Sequence, residues 1–184
     1  MRRALDTLYG AALWAAALCL VGIATLVGLQ LGGRLLDGLL ALIHLPRTDF
    51  VILSLAEICG YLLAGASFLA LAGTLKSGTH IRVTMALSAV GEYRRFAELW
   101  AFAAATLAAG YMTWHLANFA YVSFLFHEVS PGVVRVPLGF PQAAMALGAA
   151  ILTLALADEL VGVWRSGRPS FRGAEEAITL GKEG

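Results

Sequence analysis

The residues able to do chemistry are few and far apart. Glu57 is the one carboxylate placed well inside an apolar stretch. Burying it costs roughly 3 kcal/mol on insertion scales, so it serves either a proton or ion site or a polar contact between helices. His115 sits in another apolar stretch. Counted from the outer ends of their stretches, Glu57 is about seven residues deep and His115 about ten, similar depths along a helix rise. The remaining histidines, His44, His80 and His127, fall in connections, so a haem held between two facing histidines has one embedded candidate. Cys19 and Cys59 both lie inside apolar stretches and read as small fillers rather than a disulfide. No glycine-rich phosphate loop, paired-cysteine motif or metal-spaced histidine pair occurs. The spacing therefore offers no catalytic constellation and no cofactor.

What must position these residues is an apolar framework. The 184 residues are 59% hydrophobic and 14% charged, with a mean hydropathy of +0.77. Soluble domains carry about 25% charged residues. Two cysteines exclude a disulfide scaffold, and a net charge of +1 excludes a nucleic-acid binder. Four stretches reach the ~20 apolar residues that a membrane-spanning helix needs: 8–31, 50–75, 96–126 and 136–163. The alternation of a membrane β-strand is absent. The first stretch is longer than the ~7–15 residues of a signal-peptide core and reads as a retained span. The expected fold is an all-α integral membrane protein: one four-helix transmembrane domain over 1–164 and a polar cytoplasmic tail over 165–184.

Charge sets the orientation. With a cytoplasmic N-terminus, the inner segments hold Arg2, Arg3, Lys76, Arg82, Arg94, Arg95, Arg165, Arg168, Arg172 and Lys182. The outer segments hold Arg34, Arg47 and Arg135. This excess places both termini in the cytoplasm. Trp14, Trp100 and Trp164 then fall near the inner interface.

The connections carry signals of their own. LLDGLLALIHL in the 32–49 segment repeats leucine at helical spacing. It is either a short helix on the outer leaflet or a continuation of the first span, and Pro46 ends both versions. IRVTMALSAVGEYRRF, within 76–95, reads as an amphipathic helix in the inner interface between the second and third spans. The alternative is a helical hairpin without membrane contact. SPGVVRVPLGFPQ carries three prolines and belongs at the surface or against a partner protein. Gly28 and Gly32 form a GxxxG pair. No internal repeat is visible.

LKSGTHIRV, from Leu75 to Val83, resembles the "G-x-HIRVD" segment of the small membrane subunit of tripartite ATP-independent periplasmic (TRAP) transporters, the DctQ type. VPLGFPQ, Val136–Gln142, is similar to that family's "IPLWIPQ", and Ala56–Gly78 to its second span. The resemblance runs through all four spans in order. Thr84 and Gly139 depart from the family's Asp and Trp. The resemblance implies an accessory subunit without a transport site, embedded in membrane lipids beside a large multi-span permease. That permease carries sodium and a carboxylate-type solute delivered by a periplasmic solute-binding protein. The residue reading, which allows Glu57 and His115 to pair, and the resemblance together give Glu57, His115, His80, Arg82, Pro137, Pro141 and Gln142 as structural or interface residues. Two rival readings are a self-sufficient ion-coupled transporter built around Glu57 and a haem-carrying membrane anchor.

Overall fold

The structure, a computed structural model, describes residues 2–46, 48–76 and 94–166. The expected interfacial helix, with His80 and Arg82, lies outside the described residues, as does most of the tail. The described chain is helical: α1 (Arg2–Leu42), α2 (Leu55–Lys76), α3 (Arg94–Leu125) and α4 (Gly139–Ser166). α1, α2 and α4 are each long and apolar enough to cross a membrane. α3 has 32 residues, but Tyr111, Trp114, His115 and Asn118 make it less apolar.

The 32–49 segment is resolved in favour of continuation. α1 runs unbroken for 41 residues, about 61 Å at ~1.5 Å per residue. No breaker interrupts the leucine repeat before Pro46. α1 ends in a Schellman motif: Leu45 N–H donates to Leu40 O at 2.9 Å and His44 N–H to Ala41 O at 3.3 Å. His44 takes the left-handed conformation usually given to glycine there, with φ 56°. α3 stops in the same way. His127 has φ 52° and Glu128 N–H donates to Ser123 O at 3.0 Å.

The helices form a row in the order α1–α2–α4–α3. α4, the last in sequence, lies between α2 and α3, which make no substantial contact with each other. α1 and α2 are antiparallel, with Leu62 meeting Gly22 and Leu13 meeting Gly73. α2 and α4 are parallel, with Gly65 beside Ala144 and Phe68 beside Gly148. α3 and α4 are antiparallel, with Thr113 on Thr153 and Phe124 on Phe140.

Small residues make this row possible. The core is largely alanine: Ala12 and Ala16 of α1, Ala66 and Ala72 of α2, Ala109 of α3, and Ala155 of α4. Lipid tails are as apolar as leucine, so association rests on close backbone approach and dispersion. The closest approach of one helix backbone to another at a glycine is at Gly148. A Cβ there would lie 2.5 Å from the Phe68 carbonyl carbon and 2.8 Å from Leu69 N. The Thr113 and Thr153 hydroxyls are 3.0 Å apart and tie α3 to α4. Each hydroxyl also lies within reach of the carbonyl four residues back, Ala109 O at 2.8 Å and Ala149 O at 2.9 Å, so one threonine donates across the seam while the other donates to its own helix. Gly28 and Gly32 are exposed with nothing near an added Cβ. The GxxxG pair does no packing among the described residues.

Candidate functional site

The polar residues gather at the end of the row that carries the 43–54 and 126–138 connections. After Leu42 the chain turns back along α1. Asp37 Oδ1 accepts the Thr48 N–H at 2.7 Å and the Thr48 hydroxyl at 2.6 Å. Phe50 lies over Gly33, and the Gln30 side-chain oxygen accepts the Ile52 N–H at 2.7 Å. Seven helical residues rise about 10.5 Å, less than four fully extended residues would span, and the left-handed turn at Asp49 (φ 48°) takes up the difference. Gln30, on an otherwise apolar helix face, is buried by this contact.

Because 50–54 is spent in this return, α2 begins at Leu55 rather than near Phe50. Glu57 therefore sits in the first turn of α2, half-buried, and not seven residues deep. Its carboxylate accepts the Tyr61 hydroxyl at 2.9 Å. A negative group there also suits the positive end of the helix dipole. Ser54 and Glu57 have the spacing of a capping box. Here Ser54 has φ 56°, and its backbone oxygen receives the Glu57 and Ile58 N–H groups at 3.1 Å. Its hydroxyl oxygen is committed elsewhere, accepting the Val134 N–H at 3.1 Å.

That bond docks the proline-bearing loop. Ser130 N–H donates to Val136 O at 2.9 Å and Leu138 N–H to Glu128 O at 3.0 Å, closing a narrow antiparallel bridge between Val129 and Pro137. The Ser123 hydroxyl donates to the Glu128 carboxylate at 2.5 Å. Ser130 is buried beside the Tyr61 hydroxyl. Gly132 rests on the Glu57 carboxylate so closely that any side chain at 132 would collide with it. The proline segment thus lies at the surface, as expected, seated on the first turn of its own α2. Val133, 77% exposed, is its projecting tip.

The structure does not bring Glu57 and His115 together. His115 is exposed on α3, its ring 4.3 Å from that of Tyr111, and α4 separates α3 from α2. Pro137 is exposed in the bridge. Pro141 is half-buried in the first turn of α4, where a missing N–H is tolerated. Gln142 is 8% exposed, with no hydrogen-bond partner for its side-chain oxygen among the described residues. At the opposite end, Asp6, Asp158 and Glu159 surround Tyr9. Glu98 and Glu159 are buried there and engaged in interactions. Among the described residues no group of three His, Cys, Asp or Glu is placed to hold a metal.

Residues 47–166 match the family model of the tripartite ATP-independent periplasmic transporters, DctQ component. The chain belongs to the DctQ family. The match covers α2, α3, α4 and the connections between them, including the HIRV segment and VPLGFPQ. It does not cover α1, so the family likeness embraces three of the four helices rather than all four. No curated protein and no solved structure matches the chain. In this DctQ component the loop-end residues tie segments together. The sequence reading missed Gln30, Asp37, Ser54 and Gly132. Ser54 had a signal, the S-x-x-E pattern, and Pro131-Gly132 marks a tight turn.

Proposed function

We propose that this DctQ component is the small membrane subunit of a transporter in which a large permease performs sodium-coupled uptake of a carboxylate-type solute. A periplasmic binding protein delivers the solute. The observation that carries the reading is the interior of the row. It is lined largely by alanine and closed by glycine contacts, with a threonine pair between α3 and α4 and two buried carboxylates, Glu98 and Glu159, at the inner end. Such an interior, packed through small apolar residues, suits a scaffold. Glu57 serves as a latch for the 127–138 loop, since Tyr61 and Gly132 occupy its surroundings. The loop end is periplasmic and both termini are cytoplasmic, in the bacterial inner membrane, because basic residues concentrate in the segments at the other end.

Mild-detergent purification from cells that also make the cognate permease tests this reading. The expected result is a one-to-one complex, with uptake in proteoliposomes only when both chains and the binding protein are present. Uptake by this chain alone would overturn it in favour of a transporter built around Glu57. A Soret band in the purified chain would favour a haem anchor.

A further inference from the structure

α3 presents two seams. The one toward α4 is small and satisfied, as described above. The other faces away from the bundle. Trp100, Leu107, Trp114 and Tyr121 recur every seven residues along it, Tyr111 and Asn118 fall between them, and all six are exposed. A straight α-helix drifts ~20° per heptad, so a strict seven-residue repeat is the pattern of a helix that supercoils with another helix. Contact with lipid requires only apolarity and no such repeat.

The polar residues of α3 point the same way. Asn118 is exposed and has no hydrogen-bond partner among the described residues. The His115 ring, one turn away, lies against the Tyr111 ring, 4.3 Å between centroids. His115 lies about 15 Å along the helix from its Leu125 end, near the centre of a ~30 Å hydrocarbon layer. An unsatisfied polar group facing lipid at that depth costs several kcal/mol. The other edge of the row contrasts with this. The outer face of α1 shows Leu18, Val21 and Leu29, and its Thr25 hydroxyl donates to its own backbone at Val21 O, 2.8 Å away. The exposed hydroxyl of α1 is satisfied within its own helix, whereas the exposed Asn118 amide of α3 has no partner among the described residues.

We propose that this outward seam of α3 is the surface on which the large permease docks. It does so through a transmembrane helix crossing at a shallow left-handed angle and offering a hydrogen-bonding side chain opposite Asn118. The proposal rests on the small-subunit reading above. A second copy of this chain fits poorly. Two identical seams would set Trp114 and Tyr111 against other bulky rings, whereas knobs of that size need small residues facing them.

The test uses the full chain produced with its cognate permease. The photocrosslinking residue benzoylphenylalanine is placed at Leu107, Trp114 or Tyr121 of α3, or at Leu18, Val21 or Leu29 of α1. The α3 positions should yield adducts with the permease and the α1 positions should not. Asn118→Leu should lower the recovered permease roughly tenfold, the loss expected from one interhelical hydrogen bond at the upper end of its range. Asn118→Gln should restore part of it. Residue 118 is exposed and makes no hydrogen bond among the described residues, so the thermal stability of the isolated subunit should change little. Were the seam lipid-facing, Asn118→Leu would leave recovery unchanged or raise it, and that result overturns the proposal. Adducts from α1 only, or between two copies of this chain, overturn it too while leaving the small-subunit reading intact. Failure of the unmodified chain to recover any permease defeats both.

Discussion

Replacing Gly148 by alanine tests whether close backbone approach holds α2 to α4. The added Cβ would sit 2.5 Å from the Phe68 carbonyl carbon, 2.7 Å from its oxygen and 2.8 Å from Leu69 N. All three are backbone atoms of a helix and cannot rotate away. Restoring an ordinary separation of ~3.5 Å requires the helices to part by about 1 Å, which forfeits a quarter to a half of the dispersion energy of the atoms that separate. Overpacking of this kind costs about 1–3 kcal/mol, against which alanine recovers up to about 1 kcal/mol of helix propensity. The net loss of about 1–2 kcal/mol should lower the unfolding midpoint in detergent by about 2–8 °C. Gly65→Ala and Gly110→Ala are the controls. Their new Cβ atoms would lie 3.6 Å from Ala144 Cβ and 3.8 Å from Thr153 Cγ2, ordinary contacts. Both should leave the midpoint unchanged or raise it. A Gly148→Ala protein as stable as Gly110→Ala would refute the reasoning.

Four further outcomes follow from the loop end and the helix termini. Gly132→Ala and Ser54→Ala should each free the 127–138 loop from α2, at about 1 kcal/mol for the lost Ser54 bond. Faster protease cleavage near Val133 reports this, and unchanged cleavage contradicts the docking. Glu57→Gln should keep most transport in the assembled system, because an amide oxygen still accepts from Tyr61; abolished transport with assembly intact would show that the charge itself is needed. His127→Gly should be neutral or stabilising, while His127→Val should cost about 1–2 kcal/mol at its left-handed backbone, and equal melting of the two variants argues against the Schellman end of α3. A cysteine at Val133 should react with an impermeant thiol reagent from the periplasmic side of intact cells, and labelling only after the membrane is opened would reverse the orientation.

Helices were legible in the sequence because runs of apolar residues have one stable form in lipid. Their order was not. α1, α2 and α4 are apolar on every side, so no stripe tells a lipid-facing surface from a helix-facing one. Glu57 was misplaced for a related reason. Hydropathy counts Phe50–Leu53 as span, while the backbone uses those residues to return along α1 to Gln30. The leucine repeat after Gly32 fits a surface helix and an extended span equally well. Only the Schellman end at His44 separates them. Two of the four histidines, His44 and His127, take left-handed positions at helix ends, and the His127 ring reaches the Leu125 carbonyl at 3.3 Å. Histidine is enriched at left-handed positions, but the enrichment is too weak to stand out in a single sequence.

The place of α4 bears on how the protein is made. The chain leaves the ribosome N-terminus first, so α2 and α3 are made before their common neighbour exists. Neighbouring helices sit about 8–10 Å apart, and two such spacings leave a gap of almost 20 Å between α2 and α3 until α4 fills it. α1 and α2 can pair at once, since their contacts involve no later element. α3 has nowhere in its own chain to settle until the final helix arrives. The last helix synthesised is thus the keystone of the row. A chain cut short before Gly139 would leave α3 unmoored, its threonine and alanine seam open to lipids or to membrane proteases.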